Sequence, residues 1–245
     1  MTQEITVGVK TELDKYTVLA LVVSLVLYPL LYSLDFFSEF IFPLVAEGWP
    51  CSAFGDLPRL GWWSFWLGNF VYHWVPFLFV WFCLYKNKEA WSSIGVSLAW
   101  YVERKYWFIG VLGMLVLAAF VLPNIYYADD LPRSSQSIYF AAVSTNERLF
   151  MIVMALTTGI TEEVLFRGFA FTRLKRVIDN PWFILPITLV SFLLIHGQPD
   201  NLGRSLYYIV GGCAFGIPFI LMKMKRLEFL IVTHFFINVS LVLVP

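Results

Sequence analysis

Three polar clusters interrupt apolar stretches in the second half of this chain. Glu162, Glu163 and Arg167 lie in TEEVLFRGFAF, Phe192 and His196 in SFLLIH, and His234 and Asn238 in HFFIN. A charge near a bilayer centre costs about 2.5–3.5 kcal/mol on insertion scales, so two adjacent carboxylates are expensive as mere helix-to-helix glue. On a helix Glu163 and Arg167 are four residues apart and share a face. Glu162 points about 100° away from Glu163. One carboxylate can therefore be neutralised locally while Glu162 stays available for chemistry. His234 and Asn238 share a face by the same spacing, as do Phe192 and His196. His73, in FVYHWVPF, has aromatic neighbours and no carboxylate or amide placed to join it, and is expected to bond helix to helix.

Composition sets these clusters in a membrane. Of 245 residues, 59% are hydrophobic and 14% charged, against about 45–50% and about 25% in ordinary globular chains. The mean hydropathy is +0.73. The 24 Phe, 12 Tyr and 10 Trp suit a helix bundle with aromatic residues at its interfaces. Formal net charge is zero, and no basic stripe interleaves with aromatics, which excludes a nucleic-acid partner. Cys51, Cys83 and Cys213 have no metal-ligand spacing and are expected to pack as small apolar groups. Asn238 heads an Asn-Val-Ser sequon, but inside an expected span it is not read as a glycosylation site.

The clusters need helices to hold them. Seven spans are expected, at about Tyr16–Phe37, Trp62–Leu84, Tyr106–Pro123, Leu149–Thr172, from Trp182 past His196, Leu206–Met222 and Phe229–Val244. The apolar stretch Ser38–Pro50 is too short and reads as re-entrant or interfacial, and Tyr126–Ser137 as a solvated loop. The charged residues 1–15 and the long apolar run after them argue against a cleaved signal. Lys10, Lys15, Lys86, Lys88, Arg104, Lys105, Arg173, Lys175, Arg176, Lys223, Lys225 and Arg226 fall on one side of this scheme. Arg59, Arg133, Arg148 and Arg204 fall on the other. The positive-inside rule then puts the N-terminus in the cytoplasm. The expected fold is an all-α, polytopic bundle of about seven transmembrane helices. Residues 1–245 form a single membrane domain in it, with the catalytic part at about 149–245.

EEVLFRG is similar to the EExxxR signature of the CPBP family, the CAAX proteases and bacteriocin-processing membrane proteins also called Abi. FLLIH resembles its FxxxH motif and HFFIN its HxxxN/D motif, in the family's order, over about Thr157 to Val239. The resemblance implies hydrolysis of a peptide bond within the membrane. Glu162 would be the base that activates water and His196 its partner. His234 and Asn238 would donate to the oxyanion, with Glu163, Arg167 and Phe192 in support. It also implies a membrane-associated or lipid-modified peptide substrate, no cofactor and a multi-pass protein of a bacterial cell membrane. A zinc ion held by Glu162, His196 and His234 is the rival mechanism, although no H-E-x-x-H is present. No serine elbow is present either. A proton-coupled transporter and a non-catalytic scaffold or immunity protein remain as other classes. The absence of inverted repeats counts against the first, and the complete motif set against the second.

Overall fold

A computed structural model describes residues 12–33, 60–97, 142–196 and 202–242. Among them every regular element is a helix. Helix α1 spans Lys15–Ser33, α2 Leu60–Lys86, α3 Thr145–Leu174, α4 Ile184–Leu194, α5 Leu202–Leu221 and α6 Leu227–Val242. Three stretches, Lys15–Ser33, Gly61–Lys86 and Thr145–Leu174, are long and apolar enough to cross a membrane. Pro181–Leu194, Ser205–Leu221 and Leu227–Val239 are shorter apolar helices. The expected span at Tyr106–Pro123, the piece Ser38–Pro50 and the loop Tyr126–Ser137 lie outside the described residues.

Local chemistry sets the helix ends. Asp14 caps α1, accepting from the backbone N–H of Tyr16 at 2.9 Å and of Thr17 at 3.0 Å. It also accepts from Asn87 at 2.8 Å, which ties this cap to the end of α2. Ser144 and Glu147 form a reciprocal capping box at the start of α3. Gly95 sits at φ 90°, where a side chain would meet the Met224 carbonyl at 2.7 Å. Its own carbonyl accepts from Leu227 N–H at 3.0 Å, fastening the segment after α2 to the start of α6.

Polarity runs inside out. Val18, Val22 and Val26 of α1, and Val71, Val75 and Leu78 of α2, face outward, one helical turn apart, as lipid-facing stripes must. Thr17, Ser24, Asn69, His73, Thr157, Thr161, Glu162, Glu163, Arg167, Thr188, Ser191 and His234 are buried. A soluble protein would reverse this distribution.

Two features differ from the sequence reading. Glu163–Phe171 is a π-helical segment within α3, and Val23–Leu27 a second within α1. The wider turn re-aims the side chains of EEVLFRG, so the regular 100° step does not apply there. The helix expected to pass His196 ends instead at Leu194, and Ile195 and His196 lie in a turn. Gly197 and Pro199 follow in sequence, and both residue types terminate helices.

Helices α3 and α6 make the most extensive interhelical contact among the described residues. Gly159 permits it: a Cβ there would stand 3.2 Å from both the Ile231 carbonyl and the Phe235 nitrogen. Close backbone approach at small residues is how helices associate in lipid. Gly159→Val should therefore destabilise the detergent-solubilised protein by about 1–3 kcal/mol, read by thermal or denaturant unfolding. Gly61→Ala, with nothing near its Cβ, should not.

Beyond α2, Glu89 accepts from Arg176 at 2.8 Å and from Ser93 at 3.1 Å, and pairs with buried Arg173 at the end of α3. Burial alone would raise the pKa of this carboxyl. The Arg176 hydrogen bond and the charges of Arg173 and Arg176 outweigh it and hold Glu89 below its ordinary value. A folded-state pKa that is lowered stabilises above the unfolded pKa, and that stabilisation is lost as pH falls through the folded one. Glu89→Gln should accordingly lower the melting temperature at pH 7, and the gap from wild type should close in acid below about pH 4.

Candidate active site

Glu163 is the hub of the buried polar centre, with 0% of its surface exposed. Its Oε1 accepts from Arg167 Nη1 at 3.2 Å and from His234 Nδ1 at 2.9 Å. The first bond is local to α3. The second joins α3 to α6 across 71 residues of sequence. Arg167, 2% exposed, also donates to the Gly212 carbonyl of α5 at 3.3 Å. Its guanidinium lies 4.6 Å from the Phe192 ring centroid and 5.5 Å from that of Phe215, where cation–π attraction offsets part of its desolvation.

Glu162 differs from its neighbour. It is 3% exposed, and its buried Oε2, like that of Glu163, has no hydrogen-bond partner among the described residues; the difference is that Glu163 is held through its Oε1 by Arg167 and His234. A buried carboxylate oxygen left unpaired is costly, and in a native structure calls for a functional reason.

The histidines are oriented through their Nδ1 atoms. His196 Nδ1 lies 2.7 Å from the Phe192 carbonyl. A carbonyl can only accept, so Nδ1 carries the proton. Its ring lies between those of Phe192 at 4.4 Å and Tyr208 at 4.1 Å. Phe192 thus touches both Arg167 and His196. His234, 7% exposed, stacks on Phe215 at 4.8 Å. Asn238 donates to Thr158 Oγ1 on α3 at 2.8 Å rather than to His234.

The structure therefore brings Glu163, Arg167, His234 and Phe192 into one bonded cluster, with Glu162 beside Glu163 on α3 and His196 bonded to Phe192. Among the described residues no three His, Cys, Asp or Glu side chains form a metal-ligating group, and His234 Nδ1 is committed to Glu163. Sequence reasoning missed a partner for His73: the Tyr28 hydroxyl lies 2.8 Å from its Nδ1, and a separation of 45 positions hid the pair.

Residues 144–240 match the family model described as Type II CAAX prenyl endopeptidase Rce1-like. Over this segment, less than half of the chain, the sequence is similar to the CAAX proteases. The segment holds α3, α4, α5 and nearly all of α6, and with them every motif residue of the site. The long apolar helices mark the chain as an integral membrane protein. No curated protein and no solved structure matches the chain.

Glu163→Gln should leave Arg167 as a buried cation without its counter-charge. Breaking such a pair costs about 3–5 kcal/mol. The expected result is lower yield and an earlier unfolding transition than in wild type, measured on purified protein in detergent.

Proposed function

We propose that this chain is an intramembrane endopeptidase that uses Glu162 to activate water. The reading rests on one observation: two adjacent buried carboxylates, of which Glu163 is held through one oxygen by an arginine and a histidine while the arginine and histidine bonds leave Glu162 out. A structural ion pair needs only Glu163. In the proposed reaction Glu162 removes a proton from water as the oxygen attacks the scissile carbonyl carbon. His196 helps orient that water. The proton held by Glu162 then passes to the departing amine, which closes the cycle without a covalent enzyme intermediate.

His234 and Asn238 are assigned to the oxyanion. In that role His234 carries protons on both ring nitrogens, one donated to Glu163 and the other to the developing charge. Asn238 keeps one amide hydrogen on Thr158 and offers the second. The substrate class follows from the family: a membrane-associated peptide, with the C-terminus of a prenylated chain as the first to test. The mechanism uses no metal.

The test is incubation of the purified protein with a peptide library and with prenylated CAAX peptides. Glu162→Gln should abolish cleavage with little loss of folded protein. His234→Ala and Asn238→Ala should each lower kcat by about 100-fold, more than they change KM, because such donors act mainly in the transition state. Chelators should leave the rate unchanged. Loss of activity to a chelator with recovery on adding zinc would replace the metal-free step. A rise in KM alone would make His234 and Asn238 substrate-binding groups.

A further inference from the structure

The Glu162–Glu163 centre is also approached from outside the matched segment. The π turn Val23–Leu27 of α1 packs against the π segment of α3. Ser191 of α4 donates to the Leu25 carbonyl within that turn at 2.8 Å. Tyr28 follows the turn, buried and stacked on Tyr72 at 4.3 Å, and its carbonyl accepts from the Tyr72 hydroxyl. This arrangement fixes where the Tyr28 phenol reaches, which is His73 Nδ1 at 2.8 Å.

Among the described residues the Tyr28 hydroxyl has no other acceptor for its proton, so it donates to Nδ1. Neutral His73 then holds its proton on Nε2. His73 is 7% exposed and within electrostatic reach of both His196 and His234, while Tyr28 is within reach of Glu162. The Tyr28–His73 pair thus adjoins the turn that packs on the Glu162–Glu163 segment. A bond made only to join α1 and α2 would require any acceptor for Tyr28. A histidine also supplies a second, oriented donor.

We propose that His73 is a substrate-binding residue whose Nε2–H, set by Tyr28, donates a hydrogen bond to a backbone carbonyl of the peptide held at Glu162. An extended peptide entering a membrane site brings carbonyls stripped of water, and each needs a donor. The acidic pair on α3 offers only acceptors. His73 supplies a neutral donor from α2 without placing another charge beside Arg167. The proposal rests on the site being a peptide site, as the endopeptidase reading requires.

The test measures binding separately from turnover. A fluorescent peptide ending in a farnesylated CAAX sequence is titrated into full-length Glu162→Gln protein reconstituted in vesicles. Adding His73→Phe should weaken Kd by about 10-fold, the effect of one lost hydrogen bond. His73→Gln, whose amide keeps a donor, should return Kd to within about 3-fold of the parent. Tyr28→Phe keeps the ring stack and releases the tautomer, so it should weaken Kd by about 3-fold even if His73→Phe folds poorly. Unchanged binding in Tyr28→Phe and His73→Phe, or a glutamine variant as weak as the phenylalanine one, overturns the proposal, as does a parent that does not bind the peptide. Normal binding of the peptide by protein carrying Glu162, without hydrolysis, would instead sink the endopeptidase reading and leave His73 as a binding residue.

Discussion

The buried Glu163 carboxylate is the constraint on which the centre of this protein depends. One oxygen takes hydrogen bonds from Arg167 and His234, so one negative charge fixes two cationic or polar side chains from two helices. A buried pair of this kind adds little net stability compared with apolar packing, but removing one partner is severely destabilising. Its value is therefore positional. It sets the face that α3 turns toward α6, and it frees Glu162 from having to neutralise anything.

The backbone makes room for that arrangement. Gly159 lets α3 and α6 approach until a methyl group would crowd the Phe235 nitrogen, and His234 lies one residue before Phe235. The π segment beginning at Glu163 then places Arg167 where it reaches Glu163, the Gly212 carbonyl and the Phe192 face together. π segments in α-helices are frequent at functional sites, and here the segment carries EEVLFRG from its second glutamate onward. Lipid-facing valines on α1 and α2 allow every costly group to be gathered in the interior.

Much of this was legible in the sequence, and the gaps have physical reasons. The Glu163–Arg167 pair followed from spacing alone, because four residues share a face in either helical form. The His234 bond to Glu163 did not, since its partners are 71 residues apart. The same holds for Tyr28 with His73 and for Asn238 with Thr158. The π register leaves no compositional mark, so the angle between Glu162 and Glu163 was read for a regular helix. The early end of α4 was missed because the apolar run continues through Ile195 to His196, although Gly197 and Pro199 were in view. The motifs pointed to candidate residues; only the fold could say which of them touch.

The claim that Glu163 binds His234 while Glu162 stays unbonded can be measured directly. The chain has only 3 histidines, so ¹⁵N-histidine labelling gives a simple solid-state NMR spectrum, and loss of one signal in His234→Gln assigns it. The account predicts that Glu163→Gln shifts the His234 Nδ1 resonance strongly, whereas Glu162→Gln leaves it close to wild type. A resonance that moves with Glu162→Gln and not with Glu163→Gln would reverse the two carboxylates and contradict the account.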